Sequence, residues 1–352
     1  MIDGNEALRR LMLKGVGCTG IARLARPLLG GMGAILMLHR VTAQPQEPGG
    51  MNRHLAIAPA FLDALITDLK RQDYAFVTLD EAIGRIRQGG GRQRFITITA
   101  DDAYRDNLTD ALPVLEKHGA PVTIYVAPGL IDHSVALWWE VIETIVNATD
   151  KLVLEAPGGG LSLDCATPRA RARAVARLQR RLVAETREQD QNAVLAAWAR
   201  ATGIDPLAPS RDMLMDWEDL KRAAAHPLVT IGAHTIHHYN LRRLDEETAR
   251  REIAGAGRIL EERLGLRPRH MAYPYGYAEA VGPREVRLAA EAGYLSAVTT
   301  RHGLLHMGHG EHLQALPRIS VNGRYQQLGY LRAMLSGITT PLANHGRMMV
   351  TI

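Results

Sequence analysis

The stretch FITITADDAYRDN, residues 95–107, decides how this chain folds. Phe95 to Thr99 alternate apolar and β-branched residues, the composition of a strand. The strand runs directly into two adjacent acids, Asp101 and Asp102. Two carboxylates side by side repel each other and add nothing to strand stability, so their place at the strand end asks for a chemical explanation.

Working outward, six more short apolar runs resemble the first: AILMLH (34–39), VTIYVA (122–127), LVTIGA (228–233), RHMAY (269–273), LSAVTT (295–300) and LPRISV (316–321). Between them lie amphipathic stretches such as PAFLDALITDLKRQ (59–72) and DEETARREIAGAGRILEERLG (245–265). Strand alternating with helix is the pattern of a parallel α/β fold. About seven such strands over 352 residues favour a closed barrel over a doubly wound sheet, and no glycine-rich dinucleotide or phosphate-loop fingerprint follows the first strands. Residues 138–226 break the rhythm with a helical WWEVIETIVNATDK, a turn or small hairpin at APGGGLSLDCATP and a long arginine-rich helical stretch, and are read as an insertion, a helical subdomain or lid. The expected organisation is an N-terminal basic helical segment (1–33), a barrel over 34–325 carrying that insertion, and a C-terminal tail (326–352).

Composition narrows the partners. The chain is 46% hydrophobic and 22% charged, which is globular composition. Cys18 and Cys165 are too few for a disulfide framework and are read as free thiols. The net charge of +5 fits an acidic partner, a membrane surface or simply a solvated basic face. No zinc-finger spacing or RNA-binding aromatic signature is present, so no nucleic-acid partner is expected. No apolar run approaches the roughly 18 residues of a membrane span. The basic segment ALRRLMLKGVGCTGIARLARPLLGG lacks a clean apolar region and cleavage site, so it is not read as a signal peptide. A surface helix in peripheral contact with a membrane and a helix packed on the domain both fit it, and a cytoplasmic, optionally membrane-associated location is the expectation.

The polar residues then fall at strand ends. Asp101 and Asp102 follow FITIT, His234 follows LVTIGA with His238 four residues on, Tyr273-Pro274-Tyr275-Gly276 follows the strand near 270, and His39 ends AILMLH. In parallel barrels those ends converge on one face, which holds the active site. Two histidines and a carboxylate can bind a divalent metal with positions left open for water and substrate, although His237 blurs which histidine is meant. One acid can then serve as ligand while its neighbour takes a proton from water.

With these motifs in view the sequence resembles the polysaccharide deacetylase (NodB-homology) superfamily. TADDAY is similar to its Thr-Phe-Asp-Asp-Gly-Tyr motif, HTIHHYNL to its His-Ser/Thr-x-x-His-Pro-x-Leu motif, and YPYG to the end of its Arg-x-Pro-Tyr-Gly motif, over roughly residues 34–130 and 210–325. The resemblance implies a distorted (β/α)7 barrel that removes N-acetyl groups from amino sugars of a polysaccharide, oligosaccharide or glycolipid. It implies Asp101 as general base, Asp102, His234 and His238 as ligands of a divalent metal, usually zinc, and the backbone N–H after Tyr273-Pro274-Tyr275 as an oxyanion donor. Some family members are circularly permuted with the histidine strand first, which implies His39 as the general acid. His302, His306, His309 and His312 compete for that role.

There are departures. Ala100 and Ala103 stand where the motif has phenylalanine and glycine, and Tyr239 stands for proline. The arginine that would orient the base falls on Ala272, and Arg318 in LPRISV is the candidate to reach the same place. Tyr273, Tyr275, Arg318 and Trp138 are the expected substrate-binding residues, Trp138 by stacking on a sugar ring. Trp217 is read as packing. Two other readings remain: an amidohydrolase acting on a non-sugar C–N bond, since fold does not set substrate, and a carbohydrate-binding protein with a decayed site.

Overall fold

The computed structural model describes residues 21–44, 50–89, 91, 93–155 and 160–352. Cys18 and residues 1–20 of the basic segment lie outside them; Cys165 is a buried free thiol. Seven parallel strands form the barrel: β1 (Gly33–Leu38), β2 (Phe95–Ala100), β3 (Val122–Val126), β4 (Val229–Ala233), β5 (His270–Ala272), β6 (Ser296–His302) and β7 (Leu316–Ser320). They pair in the order β1, β7, β6, β5, β4, β3, β2, and β2 returns to β1 to close the ring. All seven expected strands are present within two residues of their expected ends.

The closing seam is the best-ordered pairing. Gly33 through Leu38 run in register with Phe95 through Ala100. Every residue of both strands is buried. Strands covered on both faces carry near-continuous apolar runs, and the threonines that alternate with Ile96 and Ile98 are buried as well, Thr99 donating its hydroxyl to the Leu36 carbonyl at 2.9 Å. The distortion lies elsewhere. β5 is three residues long, and the register between β6 and β7 shifts between Val298 and His302. A two-residue strand at Ala75–Phe76 pairs with the start of β2 on the edge that β3 takes from Ile98 onward.

The helices follow local rules. Helix Glu246–Leu264 starts at Asp245, whose side chain accepts from the Thr248 amide, and stops at Gly265 with φ 71. Helix Pro59–Arg71 begins on proline and buries Leu62, Leu65, Ile66 and Leu69 on one face.

The insertion between β3 and β4 has its own apolar cluster, in which Val141, Ile142, Ile145, Leu178, Leu195 and Trp198 pack together. It contains helices Trp138–Asn147, Pro168–Gln179 and Glu188–Ala201 and an antiparallel hairpin pairing Lys151–Leu154 with Leu161–Asp164. Trp217 is half-buried against the barrel core, as expected of packing, and its Nε1 donates to Asp132 at 2.8 Å.

Residues 326–352 correct the expectation of a tail. They form helices Leu328–Leu335 and Thr339–Ala343. Tyr330, Leu331, Met334 and Leu335 lie in the main core, and Arg332 pairs with Asp68 on helix Pro59–Arg71. In the N-terminal segment, helix Ile21–Leu29 packs near Tyr74 through Arg26 and leaves Leu24 and Leu28 exposed. Among the described residues no helix is long and apolar enough to cross a membrane.

Candidate active site

The barrel sets the site by backbone pairing. The Asp101 amide donates to the Leu38 carbonyl at 3.0 Å, the His234 amide to Val126 at 2.8 Å, and the Tyr273 amide to Val298 at 3.1 Å. Each residue therefore steps off the C-terminal end of its strand onto the same face, where a cavity of about 620 Å³ opens. His39, Asp101, Asp102, His234, His238, Tyr273, Tyr275 and Trp138 all border it.

Asp102, His234 and His238 offer one ligand-type atom each, all within 4.8 Å of one another. Both imidazole Nε2 atoms lie 3.5 Å from Asp102 Oδ1. His234 Nδ1 is 2.8 Å from the Ala272 carbonyl, so Nδ1 carries the proton and Nε2 presents a lone pair to the carboxylate. Asp102 Oδ1 is buried and has no hydrogen-bond donor. Burial, then the Asp101 charge, pushes the Asp102 carboxyl well above its ordinary range. Burial pulls both histidines down, so they are neutral, which is the ligand form. Lone pairs converge there on an orphaned carboxylate oxygen, and this donor set fits a divalent metal.

His237 is not part of that set. Glu252 takes its Nδ1 at 2.6 Å and caps the amides of Ile236 and His237 at 3.0 and 2.9 Å. This tie turns His237 away and leaves His238, whose amide donates to Thr235 Oγ1 at 3.1 Å, facing Asp102.

Asp101 is held differently. Arg318, from β7, donates Nη1 to its Oδ1 and Nη2 to its Oδ2, both at 2.7 Å. The same guanidinium donates to the Thr299 carbonyl at 2.8 Å and to Thr99 Oγ1 at 3.2 Å. Burial alone would raise Asp101, but the Arg318 charge and its two hydrogen bonds bring the carboxyl down to about 2. Arg318 thus fills the place left by Ala272, and it corrects the expectation of substrate contact, because its side chain is 0% exposed and four of its five N–H donors are taken. Tyr273 needs the same correction: its ring is buried and its hydroxyl donates to the Gln314 carbonyl at 2.8 Å.

His39 lines the cavity, with its carbonyl tied to Asn107 Nδ2 at 2.8 Å. Burial lowers its pKa to about 4, against the pull of Asp101. Of the competing histidines, His302 ends β6 with its Nε2 2.7 Å from Thr339 Oγ1, and the other three are elsewhere. The loop after β6 runs back to the other end of the barrel, where Leu305 exchanges backbone hydrogen bonds with Met32 and Gly33. His309 there is buried, with its ring nitrogens 3.1 Å from the His306 carbonyl and 3.0 Å from the Val350 carbonyl.

At the turn after β5 the Gly276 amide donates to Pro274 at 2.7 Å, which corrects its reading as an oxyanion donor. The preceding Tyr275 amide has no partner among the described residues, and Tyr275 has φ 62. Asp102, Ala103, Thr235 and His238 also have positive φ. Non-glycine residues in this region are strained, and such strain collects at functional sites.

Trp139, the partner of Trp138 in the sequence pair, is a wall residue too, whereas the remaining wall residues carried no signal in the sequence. Trp139 packs 5.1 Å from the His238 ring. Its Nε1 donates to the Tyr104 hydroxyl at 2.8 Å, which in turn reaches Glu140 at 3.3 Å. Asn52 and His54 approach from the segment after β1. Helix Pro168–Gln179 and the π turn Arg180–Ala184 that continues it cover the cavity with Ala176, Gln179, Val183 and Ala184. Trp138 is half-buried at the mouth, edge-on to Trp139 at 5.3 Å.

The family model for polysaccharide deacetylase matches residues 88–152 and 183–296, just over half of the chain. No curated protein sequence matches the chain. Among solved structures, the deacetylase PplD of Streptococcus pyogenes in complex with acetate is 18% identical with a TM-score of 0.56, covering 86% of this chain and 97% of its own. IcaB from Ammonifex degensii is 17% identical with a TM-score of 0.53, covering 87% and 97%. A polysaccharide deacetylase from Bacillus anthracis is 16% identical with a TM-score of 0.54, covering 86% and 68%. At such identities the structures share the fold, and the sequence match shows the family. Members of that family are hydrolases of the C–N bond of N-acetyl amino sugars and are generally dependent on a divalent metal. The chain belongs to the polysaccharide deacetylase family and acts as a polysaccharide deacetylase.

Proposed function

We propose that this deacetylase depends on a divalent metal, zinc in the first instance, held by Asp102, His234 and His238, and that it removes acetyl groups from N-acetylated amino sugars. One observation carries the reading: three ligand-type atoms converge within 4.8 Å on the floor of a cavity, next to a second carboxylate that is bound bidentately by a buried arginine. A bound divalent ion supplies Lewis acidity toward the acetamide carbonyl and acidifies a nearby water.

The chain's own groups do the rest. Asp101, kept ionised by Arg318, is the base that takes the proton from the attacking water. Arg318 is the positioning residue that fixes both carboxylate oxygens and so the direction of that transfer. The Tyr275 amide is a donor for the oxyanion that develops on the acetyl oxygen. His39 takes up a proton from solvent once negative charge has grown beside it and passes it to the nitrogen as the C–N bond breaks, which returns the ring to its neutral form. Its ring is neutral at rest, and negative charge growing beside it raises its proton affinity, in the same direction as the pull of Asp101. Trp138 and the Tyr275 ring flank the mouth and offer apolar faces to a sugar.

The test is acetate release from a panel of N-acetylated glycans, measured on protein as purified, after chelation, and after zinc is restored. Activity that disappears on chelation and returns with zinc supports the reading. Equal turnover before and after complete metal removal, or no acetate from any N-acetylated glycan in the zinc-loaded protein, overturns it.

A further inference from the structure

A second cavity of about 300 Å³ adjoins the first and shares the walls His54 and Thr300 with it. Its lining includes His302 from β6, Ser320 from the end of β7, and Asn322, Arg324 and Tyr325 from the following loop. These residues lie at strand C-terminal ends, so this cavity opens on the catalytic face. Loops after the last strands of parallel barrels are a frequent place for anion binding.

The charge balance of the lining is one-sided. Among the described residues no acidic side chain borders the cavity. The Arg318 charge behind it is already matched by Asp101. Arg324 is exposed and has no ion-pair partner among the described residues. An arginine left uncompensated on a concave surface focuses positive potential there.

The loop that presents Arg324 is built rather than loose. The Asn322 side chain accepts from the Arg324 amide at 3.0 Å and donates to Ser320 Oγ at 2.8 Å. The Gly323 amide donates to the His54 carbonyl at 2.9 Å. A Cβ on Gly323 would lie 2.6 Å from the carbonyl oxygens of both Arg53 and Ala56, so only glycine allows this approach. The close contact sets Arg324 beside His54, and the Arg324 charge adds to burial in lowering the His54 pKa. His54 Nδ1 pairs with the Met51 carbonyl at 2.7 Å, which leaves Nε2 for the cavity.

We propose that this second cavity is a subsite for an oxyanion carried by the glycan, a carboxylate or a phosphate ester on a sugar next to the one that is deacetylated. Arg324 supplies the charge and the fork of donors, and His54, Ser320 and Asn322 supply the neutral hydrogen-bonding rim. The wall shared with the catalytic cavity places the anion one sugar away from the acetamide. This placing rests on the deacetylase reading, whereas the anion site itself does not.

The experiment has two arms on the zinc-loaded full chain. Titrations with glucuronic acid, glucose 6-phosphate and neutral glucose measure binding to wild type and to Arg324→Gln. One or both anions are expected to bind more tightly than glucose and to weaken about tenfold or more in Arg324→Gln, the loss of one charge-assisted contact. The anion that responds identifies the class, uronate or phosphate ester. In the second arm, the kcat/KM preference for an N-acetylated oligosaccharide bearing that anion over its neutral counterpart falls by a similar factor in the variant. Anions that bind no more tightly than glucose, or equally well to both proteins, overturn the subsite. Arg324-dependent anion binding without turnover of any N-acetylated glycan leaves the subsite standing and removes the deacetylase reading.

Discussion

Replacing Arg318 by methionine isolates the interaction on which the site depends. Arg318 is 1% exposed and makes four hydrogen bonds, two of them to a carboxylate that is itself 2% exposed. Methionine fills much of the volume, so the main consequence is an unpaired buried Asp101. Removing one partner of a buried pair costs about 3–5 kcal/mol. The depressed Asp101 pKa gives a smaller bound for the pair: from 3.8 down to about 2, on the order of 2 kcal/mol. The sign follows from the direction. A carboxyl lowered in the folded state stabilises fully above its unfolded value of 3.8, and that contribution fades as pH falls through about 2. Urea unfolding at neutral pH, in the presence of chelator, should therefore show Arg318→Met less stable by about 2–5 kcal/mol. Asp101→Asn placed on top of Arg318→Met removes the stranded charge and should recover part of the loss, a coupling that a double-mutant cycle reads directly. A loss below about 1 kcal/mol, or a double variant no more stable than Arg318→Met, would refute the view that Arg318 exists to hold Asp101 ionised.

Three further outcomes are expected. His234→Ala and His238→Ala should each lower the zinc content of purified protein; wild-type content in both would place the metal elsewhere. His39→Gln should keep metal content and melting temperature close to wild type while turnover falls by about 10²–10⁴-fold, the usual size of acid–base assistance; near-normal turnover would return the acid to another group. Ala103, fully buried with φ 53, pays a left-handed cost of about 1–2 kcal/mol that glycine does not, against about 0.5–1 kcal/mol for the added chain freedom. Ala103→Gly should accordingly stabilise by up to about 1 kcal/mol in thermal unfolding, and a clear loss of stability would show that the turn tolerates alanine without strain.

What was legible in the sequence is what short-range physics encodes. Each barrel strand announces itself because a strand buried on both faces reads as a short, mostly apolar and β-branched run, and all seven runs were visible. Asp101, Asp102 and His234 were visible because they follow such runs at once, so the strand end itself aims them, and His238 was visible by its spacing four residues after His234. In the sequence only the motif spacing set His238 apart from His237, and the fold supplies the physical reason, because Glu252, 15 residues on, claims the His237 ring.

The tertiary structure decided what depends on distant segments meeting. Arg318 and Asp101 are 217 residues apart, and the sequence offered Arg318 only as a candidate for the place left by Ala272; barrel closure brings β7 and β2 to either side of β1 and sets the guanidinium against the acid. The apolar cover from residues 176–184 exists only because the insertion folds on its own cluster and leans over the cavity. Residues 326–352 read as a tail because their apolar positions are spread over two short helices, too short for a clear period, and only the barrel's open flank supplies the surface that buries Tyr330, Leu331 and Met334. Local pattern fixes where strands end and which groups stand there; which charge meets which acid, and what covers them, is settled by pairing between strands far apart in sequence.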